Sequence, residues 1–251
     1  MSDQQGNEEL LWGIHPVLEQ LRSDPRTVRE LIIQQHKGGK KLQEIIDLAQ
    51  QQGVRIRFMP LQRFPGTAQQ NHQGVMAKIA PIASASLDDL LSACASEEQP
   101  ILVALDSIQD PHNLGAIIRS AAAAGVCGVI MPKDRSAPLN ATAAKAAAGA
   151  MAHVKLCVVT NLAATLQSIK EKGFWVYGAA GEARQSLYST KFSGPICIVV
   201  GGEGKGMRPL IREHCDVLLS IPMAGTLNSL NASVAAGIIL FEVVRQRKRL
   251  F

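Results

Sequence analysis

The sequence predicts an α/β protein: a large domain built on a mostly parallel sheet, preceded by a small α/β unit. Three observations predict it. Short apolar runs without strict alternation, at residues 101–105, 129–131, 174–177, 196–200 and 217–221, read as strands covered on both faces. Helical segments separate them, near residues 115–124, 139–148, 162–172, 209–214 and 232–246, and such alternation implies parallel neighbours. Residues 10–80 have a different texture, with charged helices between alternating strands.

In the small unit, His15-Pro-Val-Leu-Glu-Gln-Leu21 reads as a short helix with Pro16 near its start, and residues 28–34 as a strand. A helix follows over 40–52, because Leu42, Ile45, Ile46 and Ala49 recur at helical spacing and Gly53 supplies the stop. Val54, Ile56 and Phe58 alternate with Arg55 and Arg57, as a half-buried strand would, and residues 74–79 close the unit. The expected organisation is a polar tail over 1–9, the small domain over 10–80, a linker over 81–98 holding a short helix at 87–94, and the large domain over 99–251. The Ala-rich stretches 121–124 and 141–152 read as helix faces packed closely on the sheet.

With 251 residues, 47% of them hydrophobic, a core is easily buried, and the net charge of +5 has the sign suited to a phosphate-rich partner. Five scattered cysteines without a Cys-x-x-Cys pair argue against a disulfide framework and for the cytoplasm. No secretory signal opens the sequence, and its longest apolar stretch falls far below the roughly 18 residues of a membrane span. A soluble protein with no membrane partner is expected. The six histidines form no His-Glu-x-x-His or Cys/His cluster, so no metal is implied.

In an open parallel sheet, ligands sit beyond the carboxyl ends of the strands, and three loops there are unusual. Asp106-Ser-Ile-Gln-Asp-Pro-His-Asn-Leu-Gly115 leads into a helix and places Arg119 one turn inside it. Gly201-Gly-Glu-Gly-Lys-Gly206 permits positive φ and close approach of backbone N–H groups to a ligand. Pro222-Met-Ala-Gly225 leads through Asn228, Ser229 and Asn231 into the last helix. Each loop alone has a bland alternative: helix caps for Asn113, Ser229, Asn231 and Ser233, a surface ion pair for Arg119, an ordinary turn for the glycines.

Together, these segments resemble the three motifs of the SpoU branch of the knotted SPOUT methyltransferases. Asn113-Leu-Gly-Ala-Ile-Ile-Arg-Ser-Ala121, Gly202-Glu-Gly-Lys-Gly206, and Ile221-Pro-Met-Ala-Gly225 with Ser229-Leu-Asn-Ala-Ser-Val-Ala235 match in order and spacing. Ala232 stands where valine is more usual, and Gly202 where another small or polar residue is common. Residues 10–80 are similar to the ribosomal-protein-like (L30e/L7Ae-like) substrate-binding domain found ahead of such catalytic domains. Trp12-Gly-Ile-His-Pro-Val17, His72-Gln-Gly74 and Pro132-Lys-Asp-Arg-Ser136 look like segments of the members that methylate a guanosine of 23S ribosomal RNA.

The resemblance implies a deep C-terminal trefoil knot whose loops bind S-adenosyl-L-methionine, a homodimer formed through the knotted domain, and methylation of a ribose 2'-hydroxyl in 23S ribosomal RNA. It also implies that Arg119 is the principal catalytic residue, assisted by Asn113, Glu203, Ser229 and Asn231. The cofactor would rest on Gly201, Gly202, Glu203, Gly206, Ile221, Met223, Gly225, Leu230 and Ser233. A guanidinium stays protonated in proteins, which leaves two readings of Arg119: a clamp on an RNA phosphate, or a base whose proton that clamp alters. RNA contacts are expected from Arg119, Arg135, Lys37, Lys40 and Lys41, with Arg55, Arg57 and Arg63 beside them. His112 touches RNA or serves the helix start, and Arg245-Gln-Arg-Lys-Arg249 touches phosphate or complements the helix dipole. Aromatic residues are only 4%, which favours a folded RNA over stacked single strands.

Two rival classes stay open at this stage. A nicotinamide-dependent dehydrogenase would share the sheet, but the glycine spacing is not Gly-x-Gly-x-x-Gly, and Asp216 precedes its strand instead of ending it. A catalytically silent ribosomal RNA-binding protein would need only the small domain.

Overall fold

The computed structural model describes residues 9–23, 25–64, 72–80, 84–226 and 229–248. The chain divides into two compact units, Met1–Ile82 and Ala83–Phe251.

The first unit is a four-stranded sheet carrying two helices. β1 (Glu9–Trp12), β2 (Val28–Gln34), β3 (Arg55–Met59) and β4 (Val75–Ile79) lie in the order β1-β4-β2-β3, with β2 and β3 parallel and the other pairs antiparallel. α1 (Ile14–Ser23) and α2 (Lys40–Gln51) cover one face, where Val17, Leu21, Leu31, Ile33, Ile45 and Ala77 form the core. β1 was not expected, since its first residue falls in the polar tail; residues 1–8 lie outside the described ones. The alternation in β3 also misleads. Phe58, expected to be buried, is 53% exposed because β3 is the sheet edge.

The second unit is a seven-stranded, wholly parallel sheet in the order β7-β6-β5-β10-β8-β11-β9. Its strands are β5 (Ile101–Asp106), β6 (Gly128–Pro132), β7 (Lys155–Val159), β8 (Trp175–Ala179), β9 (Gln185–Ser186), β10 (Ile196–Gly201) and β11 (Val217–Ser220). β5 has all six residues buried, as a strand covered on both faces requires. Leu102, Ala104, Cys197 and Val199 face a core with α3 (Leu87–Cys94), α6 (Leu162–Glu171) and α7 (Pro209–Glu213). Each large apolar side chain fully buried there contributes roughly 1.5–3 kcal/mol.

α4 (Pro111–Ala123), α5 (Ala141–Ala147) and α8 (Ala232–Lys248) pack together, α4 between the other two. The Ala-rich segment 141–147 packs closely on α4 and not, as expected, on the sheet: a Cβ on Gly115 would sit 2.4 Å from the Ala143 carbonyl oxygen. Only glycine lets these helices approach so far.

The connections follow an unusual route. The chain steps outward from β5 through β6 to β7, crosses to β8, inserts β10 between β5 and β8, and places β11 outside β8. α8 then returns to pack on α4 and β10. Among the described residues, no helix is long and apolar enough to cross a membrane.

Candidate active site

β5 and β10 run side by side with Gly201 opposite Asp106, so the loops leaving both strands are neighbours. Backbone nearly meets backbone there. A Cβ on Gly202 would lie 2.2 Å from the Ser107 carbonyl oxygen, and one on Gly201 would lie 2.3 Å from the Met207 nitrogen. Gly204 and Gly206 have φ of 79° and 63°, where glycine alone is unstrained, and the Gly206 N–H closes the turn by donating to the Gly202 carbonyl at 3.0 Å.

Sequence reasoning passed over the anchor of this loop. Asp106 ends β5 with its carboxylate wholly buried, accepting the Arg208 backbone N–H and the Arg208 Nε, each at 2.7 Å. A buried carboxylate is costly unless paired, and Arg208 supplies that pair while tying down the far end of the glycine loop. The only signal was an acid closing an otherwise apolar strand.

α4 begins earlier than expected. Asp110 caps it by accepting the His112 N–H at 2.9 Å, and Pro111, which has no N–H to leave unpaired, takes the first turn. Asn113 is therefore in the first turn, buried, beneath the glycine loop. His112 is exposed at the helix start. Arg119 falls in the third turn instead of the first, on an exposed face. Among the described residues, no hydrogen bond or ion pair engages it.

All three loops meet at one carboxylate. Glu203 Oε1 accepts from Asn113 Nδ2 and from Asn231 Nδ2, both at 2.7 Å, and Asn231 Nδ2 also reaches Asn113 Oδ1 at 2.9 Å. Asn231 in turn starts α8: its Oδ1 accepts the Ser233 N–H at 2.9 Å and the Ser233 hydroxyl at 2.6 Å. The capping alternative for Asn231 is thus correct, and so is its meeting with the other two loops. One side chain does both.

A cleft of about 990 Å³ opens beside this cluster, over the ends of β8, β10 and β11. Gly201, Gly202, Glu203, Gly206, Ile221, Met223, Gly225 and Leu230 line it, as do Ser229 and Asn231. Ser233 is not among its walls and acts only through Asn231. Neither Arg119 nor Asn113 lines the cleft. Asn228 lies outside the described residues. Residues 179–182, after β8, and Arg212 complete the wall without having been foreseen, since nothing in their local sequence marks them. Arg212 pairs with Glu182, whose carboxyl is held below its usual range by its own backbone N–H and by this guanidinium.

The basic candidates scatter. Lys37, Lys40, Lys41, Arg55, Arg57 and Arg63 are exposed on the first unit, with the Lys37 stem lying over Gly74 and Lys41 Nζ 3.0 Å from His15 Nε2. Arg135 is exposed on the second unit, after β6. The C-terminal run is engaged internally. Arg245 pairs with Glu242 at 2.8 Å, and Arg247 donates to the Gln99 and Gly194 carbonyls at 2.6 and 2.7 Å. Arg249 lies outside the described residues.

Comparison with known proteins agrees with this geometry. Residues 100–241 match the model of the SpoU rRNA methylase family, and residues 10–85 match that of the RNA 2'-O ribose methyltransferase substrate-binding domain. The chain is 48% identical over 240 residues to the 23S rRNA (guanosine-2'-O-)-methyltransferase RlmB of Escherichia coli strain K12, covering 95% of this chain and 99% of that one. It is 46% identical over 242 residues to RlmB of Vibrio cholerae, covering 96% and 98%. Its fold is like that of the SpoU methyltransferase AviRb from Streptomyces viridochromogenes, solved with AdoMet, at a TM-score of 0.65, 24% identity and coverage of 99% and 95%. The A. aeolicus TrmH/SpoU tRNA-modifying enzyme aligns at a TM-score of 0.55 and 30% identity, over 65% of this chain and 83% of that one. With its three motif loops joined at Glu203 and the match extending over more than half of its length, the chain belongs to the SpoU rRNA methylase family.

Proposed function

We propose that this protein transfers a methyl group from S-adenosyl-L-methionine to the ribose 2'-hydroxyl of a guanosine in 23S ribosomal RNA. The observation that carries the reading is the convergence of Asn113 and Asn231, 118 positions apart, on the Glu203 carboxylate at the lip of the cleft. The near full-length identity to RlmB supports the choice of RNA and nucleoside.

The cleft fits the cofactor. Its volume of about 990 Å³ is at the upper end for small-molecule sites, and its walls combine apolar Ile221, Met223 and Leu230 with the glycine-loop backbone. S-adenosyl-L-methionine supplies an already positive sulfonium methyl, so no metal-assisted step is invoked. Ile221, Met223 and Leu230 hold the apolar part of the cofactor, and the backbone of Gly201, Gly202, Gly206 and Gly225 holds its polar edges. Glu203 keeps Asn113 and Asn231 in place, and Ser229 and Asn231 face the reacting ribose. Arg119, unpaired among the described residues and always charged, clamps the adjacent RNA phosphate and orients the hydroxyl. When bound, the cofactor would supply the methyl group, the ribose oxygen–methyl bond forming as the methyl–sulfur bond breaks, and the residues around the cleft would hold the 2'-hydroxyl in line for it.

The active species is a homodimer joined through the second unit. α8 supports this: Val234 and Phe241 are 49% and 50% exposed, with Ile238 between them, an apolar stripe at helical spacing with nothing over it among the described residues. The C-terminal segment is threaded as a trefoil knot, which the insertion of β10 and the return of α8 support. The first unit, an L30e/L7Ae-like domain over 10–80, binds the RNA through Lys37, Lys40 and Lys41; the stretch 81–98, expected as a linker, carries α3, which packs into the core of the catalytic unit. Arg135 adds a contact from the catalytic domain. The protein works in the cytoplasm, where its RNA is made.

The test is transfer of labelled methyl from S-adenosyl-L-methionine to 23S ribosomal RNA by the purified protein, with nucleoside analysis of the product. 2'-O-methylguanosine is the expected product. Label on a base, or none, contradicts the proposal.

A further inference from the structure

The cofactor cleft leaves a second one unexplained. It measures about 290 Å³, opens over the ends of β6 and β7, and is lined in part by Pro132, Asp134, Arg135, Asn161, Arg208 and Leu210. Three features make it a binding site and not a surface dimple. Arg208 is held rigidly: its backbone N–H and its Nε are both committed to the buried Asp106, which leaves the outer nitrogens of the fork without a protein partner among the described residues. A guanidinium fixed by one edge offers the other to an oxyanion at little entropic cost. Arg135 faces the same space, exposed and at φ 59°, with no ion pair among the described residues. The same lining includes apolar Pro132 and Leu210, and Leu210 is 57% exposed.

The position of this cleft identifies its ligand. One short segment separates it from the cofactor site: Met207 and Arg212 line the larger cleft, Arg208 and Ile211 the smaller one. With the cofactor in the larger cleft, the smaller one is left to a part of the substrate lying beside the reacting ribose, and RNA brings phosphates at regular intervals with flat apolar faces between them. We infer that the second cleft is a subsite for a nucleotide of the substrate RNA other than the one methylated, its phosphate gripped by Arg208 and Arg135 and its base laid on Leu210. The inference rests on the reading that the protein methylates RNA. Asp134 and Asn161 also line the cleft; the Asn161 Oδ1 already accepts the Ala164 N–H at 3.1 Å, which leaves its amide N–H groups and the Asp134 carboxylate for the hydrogen-bonding edge of a base.

Arg135→Gly tests it, because glycine accepts the positive φ without strain and the residue is exposed. Leu210→Ser removes the stacking surface on the same argument. With cofactor saturating, each variant is expected to raise the KM for a 23S ribosomal RNA fragment by about tenfold while kcat and the Kd for S-adenosyl-L-methionine stay within about twofold. Arg135→Gly should also lower the slope of log KM against log salt by about one, which loss of a purely structural contact would not do. An unchanged KM and salt slope in both variants, with wild-type protein methylating normally, overturns the inference and leaves the functional reading standing. Calorimetry with guanosine 5'-monophosphate covers the other source of the same chemistry. If it binds tightly without RNA, and Arg135→Gly abolishes that binding while the RNA KM is unmoved, the cleft serves a free nucleotide and the inference fails. Absence of any methylation by the wild-type protein removes the functional reading and this inference with it.

Discussion

Replacing Arg208 by alanine should unsettle both stability and the cofactor site, because this side chain neutralises the buried Asp106. Removing one partner of a buried ion pair typically costs about 3–5 kcal/mol, since the remaining charge is left uncompensated. Asp106 would keep the residue 208 backbone N–H and, more weakly, the Ser107 hydroxyl at 3.4 Å, so the lower end, about 3 kcal/mol, is expected. For a unit of this size each kcal/mol moves Tm by roughly 2–4 °C, giving a fall of about 6–12 °C in thermal denaturation. The second substitution is the control. Asp106→Asn on the Arg208→Ala background removes the stranded charge while keeping nearly the same shape, and should recover part of the loss. Cofactor affinity, read by calorimetry, should fall in Arg208→Ala, because residues 201–208 lose their far anchor. A loss below about 1 kcal/mol, or a double variant no better than the single, would refute the reasoning.

Arg119→Ala should leave the calorimetric Kd for S-adenosyl-L-methionine within about twofold and abolish methyl transfer, since the residue lies outside the cofactor cleft; normal turnover would remove Arg119 from the mechanism. Gly115→Ala should destabilise by about 1–3 kcal/mol in a denaturation experiment, because the new Cβ would meet the Ala143 carbonyl oxygen at 2.4 Å and force α4 from α5. Cys127 should be the most reactive cysteine. A hydrogen bond from Cys94 holds it below the usual thiol range, whereas burial raises Cys157, Cys197 and Cys215, the last to about 12. Its iodoacetamide alkylation rate should therefore rise at lower pH than that of the other four cysteines, as mass spectrometry of the labelled peptides would show; a rise at the same pH as the others would contradict the assignment.

Local pattern carried most elements of the second unit. The helix expected at residues 87–94 is α3, where Ser86 caps by accepting the Asp89 N–H at 3.1 Å, and the runs read as doubly covered strands are β5, β6, β8, β10 and β11. β7 was passed over although Leu156-Cys-Val-Val159 is a run of four apolar residues; it is an edge strand, with Lys155 and Val158 exposed. β1 also escaped, lying beside polar chain at the edge of its own sheet. The start of α4 was legible in Asp110-Pro111, an acid cap before a proline, yet the apolar periodicity that begins later drew the boundary forward.

Long-range features had no local trace. Asp106 and Arg208 are 102 positions apart, and nothing near either residue announces the pairing. Strand order is equally hidden, because insertion of β10 between β5 and β8 is settled by the packing of the whole sheet. The three motif loops were visible as loops, but their union at Glu203 required the fold. Side-chain exposure set the remaining limit. Arg119 and Arg135 look alike in sequence, and only their surroundings separate a helix-face cation from one beside a cleft.

The most direct test is a map of 2'-O-methylated positions in ribosomal RNA from cells lacking this protein, complemented either by wild type or by Arg119→Ala. The account predicts the loss of one 2'-O-methylguanosine in 23S ribosomal RNA, restored by wild type and not by the variant; an unchanged map in the deletion strain, or full restoration by Arg119→Ala, would contradict it.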